Sequence, residues 1–213
     1  MSTIVRLVFN PFQENTYVVY DETGECIIID PGCSTHQEEQ ELLKVIEDNK
    51  LKPVALVLTH AHIDHIMGNK FVVDQFNIPI IMNRLELDSL QAAPNYGQHF
   101  GVTVEPSPEP SEFIDESDPL TFGNTRFKVL FTPGHSAGGL SYYNVEEQYV
   151  IVGDCLFLGS IGRTDLPGGD YNTLITTIEE EFLVLDDEVT VYSGHGIDTT
   201  IGFERHNNPF LRG

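Results

Sequence analysis

The sequence predicts an α/β (α+β) protein in which two layers of sheet are covered outside by helices, a four-layer αββα arrangement. Two observations lead to this fold class: strand-sized apolar runs recur along all 213 residues, and amphipathic helical patterns separate many of them. Hydrophobic residues make up 40% of the chain, which is enough to fill a substantial core. We find no internal repeat or low-complexity linker, so we expect a single domain spanning residues 1–213.

Strands and helices alternate along the chain. Short apolar or alternating runs bounded by turn residues predict strands at residues 4–9, 16–20, 26–30, 54–58, 79–82, 126–131, 141–145, 149–152 and 189–192. Helical periodicity predicts helices at residues 37–49, 66–76, 84–92, 172–183 and 199–207. Residues 94–119 are rich in proline and acidic residues, and we expect them to form an irregular loop. The all-apolar run at residues 54–58 is typical of a strand buried on both faces.

The charge of the chain argues against two classes of partner. Eleven Lys and Arg against 33 Asp and Glu give a formal net charge of −22. Nucleic acids and anionic membranes both need basic patches, so we expect neither as a partner. The cysteines Cys26, Cys33 and Cys155 have no paired spacing that would predict a disulfide framework. No apolar run approaches the roughly 20 residues of a membrane span, and no cleavage-site pattern is present, so a cytoplasmic location is expected.

The strongest chemical signal lies at residues 59–65, which read Thr-His-Ala-His-Ile-Asp-His directly after the predicted buried strand. Four potential metal ligands, His60, His62, Asp64 and His65, fall where that strand ends and a helix begins. Zinc and iron accept imidazole nitrogen and carboxylate oxygen, and a turn can aim such side chains at one point. The alternative is a polar helix-cap cluster whose histidines are satisfied by hydrogen bonds.

Three later residues share this context, because each follows an apolar strand and adjoins glycine. They are His135 in Pro-Gly-His, Asp154 in Gly-Asp and His195 in Gly-His-Gly. Taken singly, each is more often an ordinary loop residue. Together with the cluster at residues 59–65, they form two His-rich half-sites and one carboxylate at strand ends. This combination favours a metal site over coincidence.

These motifs resemble the metallo-β-lactamase fold superfamily and, within it, the glyoxalase II-like hydrolases. The resemblance runs over nearly the whole chain through Ile29-Asp30-Pro31-Gly32, residues 59–65, Pro133-Gly134-His135, Gly153-Asp154 and Gly194-His195. It implies a metallo-β-lactamase sandwich and two divalent metal ions, zinc in the first place, with iron or manganese as alternatives. The implied ligands are His60, His62 and His135 for one ion, Asp64, His65 and His195 for the other, and Asp154 bridging both.

The resemblance also implies an activity, hydrolysis of hydroxyacyl-thiol esters such as S-lactoylglutathione, with a small-molecule thioester as the partner. Asp64 is then expected to orient the hydroxide held by the metals as well. Asp30 either accepts a hydrogen bond from the non-ligating N–H of a metal-bound imidazole or simply begins an Asp-Pro-Gly turn. Arg163 follows the bridging aspartate where glyoxalase II has a glutathione-binding basic residue; the alternative is an ion pair with Asp165 or Asp170 that holds the loop.

Other members of the superfamily remain open from the sequence. Gly-Arg-Thr-Asp at residues 162–165 also resembles the persulfide dioxygenases, which use one iron. His65 and the absence of an export signal argue against a β-lactamase. The negative charge argues against an RNA-processing nuclease. The presence of all seven ligands argues against a non-catalytic domain. Eighteen residues follow His195, so a short form without a C-terminal helical domain is expected, with glutathione held loosely or replaced by another thiol. The sequence predicts no oligomeric state.

Overall fold

The computed structural model describes residues 1–211 and shows two compact units. Unit 1 consists of Met1–Ile114 together with Thr121–Arg126, and unit 2 consists of Asp115–Leu120 together with the chain from Phe127 onward. Each unit holds most of one six-stranded sheet. The single domain over residues 1–213 stays a prediction.

Unit 1 is built on a sheet in the order β1-β2-β3-β4-β5-β6. Its strands are β1 (Thr3–Phe9), β2 (Glu14–Tyr20), β3 (Glu25–Ile29), β4 (Lys52–Val57), β5 (Ile80–Met82) and β6 (Glu112–Phe113). The first three strands are antiparallel and the following pairs are parallel. Parallel strands need crossovers, and helices supply them. These helices are α1 (His36–Asp48), α2 (Ile63–Ile66), α3 (Asn69–Phe76) and α4 (Leu87–His99).

Strand β4 carries the chain to the His-rich segment. Leu56, Val57 and the following Leu58 are at most 1% exposed, as expected for a central parallel strand covered on both faces. The ladder continues one residue beyond β4, because the Leu58 amide donates to the Ile81 carbonyl over 3.0 Å. The buried strand predicted at residues 54–58 is therefore confirmed. The residues after it emerge at the carboxyl edge of the sheet, where open α/β sheets present functional groups.

The helix predicted at residues 66–76 is divided in the structure. Helix α2 ends at Ile66, and α3 begins at Asn69. Gly68 lies between them and donates its amide to the Pro31 carbonyl over 2.7 Å. A side chain at Gly68 would collide with that carbonyl and with Cys33 Sγ. The single helix predicted from periodicity is wrong here because a tertiary contact interrupts it.

Helix α4 extends into the segment that was expected to be irregular. A 3₁₀ turn at Arg84–Glu86 leads into it, and it continues through Pro94 to His99. Its buried residues Leu90, Ala93 and Gly97 recur at helical spacing. The loop prediction for residues 94–119 is therefore wrong at its start, because packing of this face outweighs the hydrogen bond that proline removes.

The Asp21 carboxylate closes a turn within unit 1. It accepts hydrogen bonds from Thr23 N over 2.9 Å, Asn124 N over 2.6 Å and Thr125 Oγ1 over 3.0 Å. Burial alone would raise the pKa of Asp21, but these donors outweigh it and lower the pKa to about 2. Because the pKa in the unfolded chain is about 3.9, the carboxylate stabilises the fold fully above about pH 4. That contribution is lost as the pH falls through about 2.

Asp21→Asn is expected to lower the free energy of unfolding at pH 7 by about 1 to 3 kcal/mol, because an amide cannot accept on both sides. Urea unfolding at pH 7, 4 and 3 measures the effect, and the difference from the original chain should shrink at the lowest pH. Asp48→Asn, at an exposed position, is the matched control. An equal loss at every pH would contradict the role assigned to the carboxylate charge.

Unit 2 is built on a sheet in the order β14-β13-β10-β9-β8-β7, together with a separate two-stranded hairpin β11-β12. The strands are β7 (Pro119–Phe122), β8 (Thr125–Phe131), β9 (Leu140–Asn144), β10 (Tyr149–Gly153), β11 (Leu156–Phe157), β12 (Ser160–Ile161), β13 (Thr190–Ser193) and β14 (Thr199–Thr200). The helices are α5 (Tyr171–Thr177), extended by a π-helical turn at Ile178–Phe182, and α6 (Ile201–Asn207). Leu174 of α5, with Ile178 and Phe182 of the π-helical turn, packs against the buried face of the sheet.

The α/β fold class predicted from the sequence is confirmed by these mixed sheets and their helices. Among residues 1–211, no helix has the length and apolar character needed to cross a membrane.

Candidate metal centre

The unit 1 cluster consists of Asp30, His60, His62, Asp64 and His65, and it lies where β3 and β4 end and α2 begins. The ring centroids of His60 and His62 lie 4.7 Å apart, and those of His60 and His65 lie 4.2 Å apart. Asp64 Oδ2 lies 3.8 Å from His65 Nε2. His60 and His65 are buried, whereas His62 and Asp64 are partly exposed. The structure thus brings together all five unit 1 residues that the sequence singled out.

Asp30 fixes the orientation of His65. It follows β3 with a positive φ of 49°, which turns its carboxylate toward the residues after β4. The carboxylate accepts from Thr59 N over 2.7 Å, from Thr59 Oγ1 over 2.5 Å and from His65 Nδ1 over 3.0 Å. With Nδ1 committed as the donor, Nε2 of His65 is the nitrogen that can ligate a metal.

Thr59 plays the same part for His60, although the sequence singled out no role for it. Its hydroxyl donates to Asp30 and therefore accepts from His60 Nδ1, 2.9 Å away. His60, like His65, then presents its buried Nε2 as the ligand nitrogen. The signal available in the sequence was only that Thr59 adjoins His60.

Glu14 and Thr16 form a buried polar layer beneath Asp30. Thr16 Oγ1 accepts from Gly32 N over 2.9 Å and lies 2.9 Å from both the Asp30 carbonyl and Glu14 Oε2. Glu14 is fully buried, and this burial raises the pKa of its carboxyl well above its usual range. The sequence offered no signal for this layer, because Thr16 begins a run that simply predicts a strand and Glu14 lies just before that run.

The unit 2 cluster consists of His135, Asp154 and His195. The residues follow β8, β10 and β13, and Asp154 comes directly after Gly153, the last residue of β10. Asp154 Oδ2 lies 3.7 Å from His135 Nε2 and 3.5 Å from His195 Nε2, so both imidazoles face the same carboxylate oxygen. His135 Nδ1 donates to the Arg163 carbonyl over 2.8 Å, which again leaves Nε2 as the ligand nitrogen.

The Arg163 side chain forms an ion pair with a residue of its own loop. Its guanidinium binds Asp165 through two hydrogen bonds of 2.7 and 2.8 Å, and both side chains are largely exposed. These bonds lower the pKa of Asp165 to about 2. The structure therefore shows the loop-holding ion pair with Asp165. Substrate binding by Arg163 stays a prediction.

The three cysteines lie outside the ligand sets. Cys26, Cys33 and Cys155 are free and buried, and burial raises the pKa of each thiol to about 12. Cys155 adjoins Asp154 but donates its thiol to the Thr132 carbonyl. The prediction that the cysteines form no disulfide framework is confirmed.

The donor chemistry of both clusters fits divalent ions. Imidazole nitrogens with carboxylates are the donors that zinc, iron and manganese accept, and three of the imidazoles are fixed through Nδ1 by a hydrogen-bond partner. Within unit 1, Asp30, His60 and His65 offer ligand atoms within 4.8 Å of one another. The clusters can therefore bind metal.

Comparison with known proteins agrees with this fold and chemistry. The sequence profile of the Metallo-beta-lactamase superfamily matches residues 9–195. The chain therefore belongs to the metallo-β-lactamase superfamily and is a metallo-hydrolase of that superfamily.

Two curated relatives are similar over nearly their whole length. "Probable metallo-hydrolase YqgX" of Bacillus subtilis is 39% identical over 209 residues, which are 98% of this chain and 97% of that protein. "Hydroxyacylglutathione hydrolase GloC" of Haemophilus influenzae is 36% identical over 202 residues, which are 94% and 93% of the two chains.

Two solved structures share the fold closely. BLEG-1, described as a B3 metallo-β-lactamase, has a TM-score of 0.91 at 38% identity and covers 99% of this chain and 100% of its own. TTHA1623, described in a di-iron-bound form, has a TM-score of 0.87 at 37% identity and covers 98% and 100%. The metallo-β-lactamase fold predicted from the motifs is thereby confirmed.

Proposed function

We propose that this metallo-hydrolase is a glyoxalase II-like thioesterase that cleaves hydroxyacyl-thiol esters such as S-lactoylglutathione. The observation that carries the proposal is the fixing of His60, His65 and His135 through Nδ1, by Thr59, Asp30 and the Arg163 carbonyl. Side chains held in this way are arranged to ligate metal rather than to cap a helix. The similarity to GloC supports the thioester as substrate.

We further propose that the two clusters supply one binuclear centre for zinc, iron or manganese. The ligand set predicted from the sequence assigns His60, His62 and His135 to one ion and Asp64, His65 and His195 to the other, with Asp154 between them. The internal geometry of each cluster supports this assignment. In unit 2, His135 and His195 both face one oxygen of Asp154, as a shared carboxylate requires.

Divalent ions held by these residues would lower the pKa of a bound water toward about 7 and would polarise the thioester carbonyl. Asp64 is partly exposed beside His65 and is the carboxylate that accepts a hydrogen bond from the attacking water and orients it. Asp30 and Thr59 hold their imidazoles still during the reaction. The leaving thiol, with a pKa near 8.5, departs as a thiolate without a dedicated general acid.

A second candidate activity is hydrolysis of β-lactams, which the 38% identity to BLEG-1 favours. An amide leaving group is more basic than a thiolate, so this reaction depends more on protonation of the leaving group. The same purified protein can be assayed with both substrate classes.

The test is a substrate panel on protein of measured metal content. Turnover of S-lactoylglutathione exceeding that of a cephalosporin is the expected result. Oxygen uptake on glutathione persulfide with one iron per chain would instead establish a persulfide dioxygenase and overturn the proposal.

Asp64→Ala should lower kcat, and Asp74→Ala, at an exposed position in α3, is its matched control. Unchanged kcat and metal content in Asp64→Ala would remove Asp64 from the mechanism.

A further inference from the structure

The hairpin β11-β12 lies beside His195 and ends in an apolar tip. The Phe157 ring meets the His195 imidazole edge-on, with centroids 6.1 Å apart and an interplanar angle of 77°. Leu158, the next residue, is 41% exposed, and Ile197, two residues after His195, is 61% exposed. We call Phe157, Leu158 and Ile197 the apolar rim.

A buried carboxylate holds the hairpin in place. Glu204 of α6 is 0% exposed and accepts the Gly159 amide over 3.0 Å and the Thr199 hydroxyl over 2.6 Å. Asn208 donates both to Glu204 over 2.8 Å and to the Ser160 carbonyl over 3.0 Å. These bonds tie the tip of the hairpin and the residues after His195 to one helix.

The first strand of the hairpin is held by a hydrogen bond as well. Ser193, two residues before His195, donates its hydroxyl to the Leu156 carbonyl over 2.6 Å. These hydrogen bonds hold the backbone on either side of Leu158 and close to Ile197, so the two exposed side chains stand on a fixed support. Apolar side chains held exposed on a rigid support beside a reactive centre are typical of a preformed binding surface.

The charges of unit 2 favour an uncharged substrate group at this surface. Its Lys and Arg residues within the described chain are Lys128, Arg163 and Arg205. Arg163 is bound by Asp165, and Arg205 donates to the carbonyls of Leu183 and Leu185. A carboxylate-bearing group therefore gains little from Arg163 and Arg205, whereas an apolar group gains from covering the rim.

We propose that Leu158 and Ile197 bind an apolar substituent of the thioester, which makes alkyl-chain thioesters the preferred substrate class. This inference rests on the proposed thioesterase function. The substituent sits either on the acyl side or on the thiol side of the scissile bond. Each methylene that is fully buried on the rim raises kcat/KM by up to about fourfold.

The test uses two thioester series on the metal-loaded protein. One series lengthens the acyl chain from acetyl to hexanoyl on a fixed thiol, and the other lengthens an alkyl thiol on a fixed acetyl group. In the original chain, kcat/KM should rise along one series, which identifies the side that the rim binds. In the double variant Leu158→Ser, Ile197→Ser the rise should disappear through an increase in KM for the longer thioesters, with the metal content unchanged.

Val184→Ser is the matched control, since Val184 is 70% exposed elsewhere in unit 2. An equal chain-length dependence in the double variant and in the original chain would overturn the role of the rim, as would a flat dependence in the original chain. Either of these results leaves thioester hydrolysis standing. If no thioester is hydrolysed at any length, the proposed function fails and the rim inference fails with it.

Discussion

Replacing Asp30 with alanine is expected to weaken metal binding by about 10- to 100-fold. The Asp30 carboxylate holds His65 through Nδ1 and accepts two hydrogen bonds from Thr59, which in turn holds His60. The substitution therefore releases two imidazoles at once. Competition with a chromophoric chelator measures the affinity without any assay of activity.

The same substitution should also destabilise the metal-free protein. Asp30 is 2% exposed, so its loss leaves the Thr59 amide buried without its acceptor, at a cost of about 1 to 3 kcal/mol. Urea unfolding in the presence of EDTA measures this effect. Asp30→Asn can still accept a hydrogen bond from Thr59 but places an amide against His65 Nδ1. Compared with Asp30→Ala, we therefore expect it to recover more of the stability of the metal-free protein than of the metal affinity. Full metal affinity in Asp30→Ala would refute the positioning role.

Replacing Asp154 with alanine is expected to have the largest effect on activity. His135 and His195 both direct Nε2 toward its Oδ2, at 3.7 and 3.5 Å. In the proposed centre Asp154 is the shared ligand, so its loss should lower the metal content below two ions per chain. It should reduce kcat/KM by at least about 100-fold, because outer partners of a ligand alone are worth about 10- to 100-fold. Elemental mass spectrometry and the thioester assay measure the two effects.

The matched control for Asp154→Ala is Asp186→Ala, at an exposed position of the same unit. It should leave both metal content and kcat/KM unchanged. Circular dichroism of both variants establishes that the fold is kept. Two ions per chain in Asp154→Ala would show that Asp154 is not a shared ligand.

The sequence predicts the candidate site better than it predicts helix boundaries. His60, His65 and Asp154 could be found because each follows a short apolar strand, and strand ends deliver side chains to a sheet edge. Periodicity also placed most strands. It failed at Gly68, where a hydrogen bond to the distant Pro31 divides a helix, and at Pro94, where packing carries a helix through a proline.

The positioning residues could not be predicted for a related reason. Glu14 and Thr16 lie within an ordinary strand, and only the tertiary fold brings them beneath Asp30. The β11-β12 hairpin has two residues in each strand, too few to show an alternating pattern. For Arg163 the sequence left two alternatives open, a substrate contact and a loop-holding ion pair, and the structure shows the bidentate pair with Asp165.

The central claim, a binuclear thioesterase centre, is tested most directly by metal titration of the stripped protein. Zinc, iron and manganese are added in turn to protein treated with a chelator, and bound metal and S-lactoylglutathione hydrolysis are followed together. We expect hydrolysis to rise to a plateau at two ions per chain for at least one metal. A plateau at one ion, or two bound ions without thioester hydrolysis, would contradict the account.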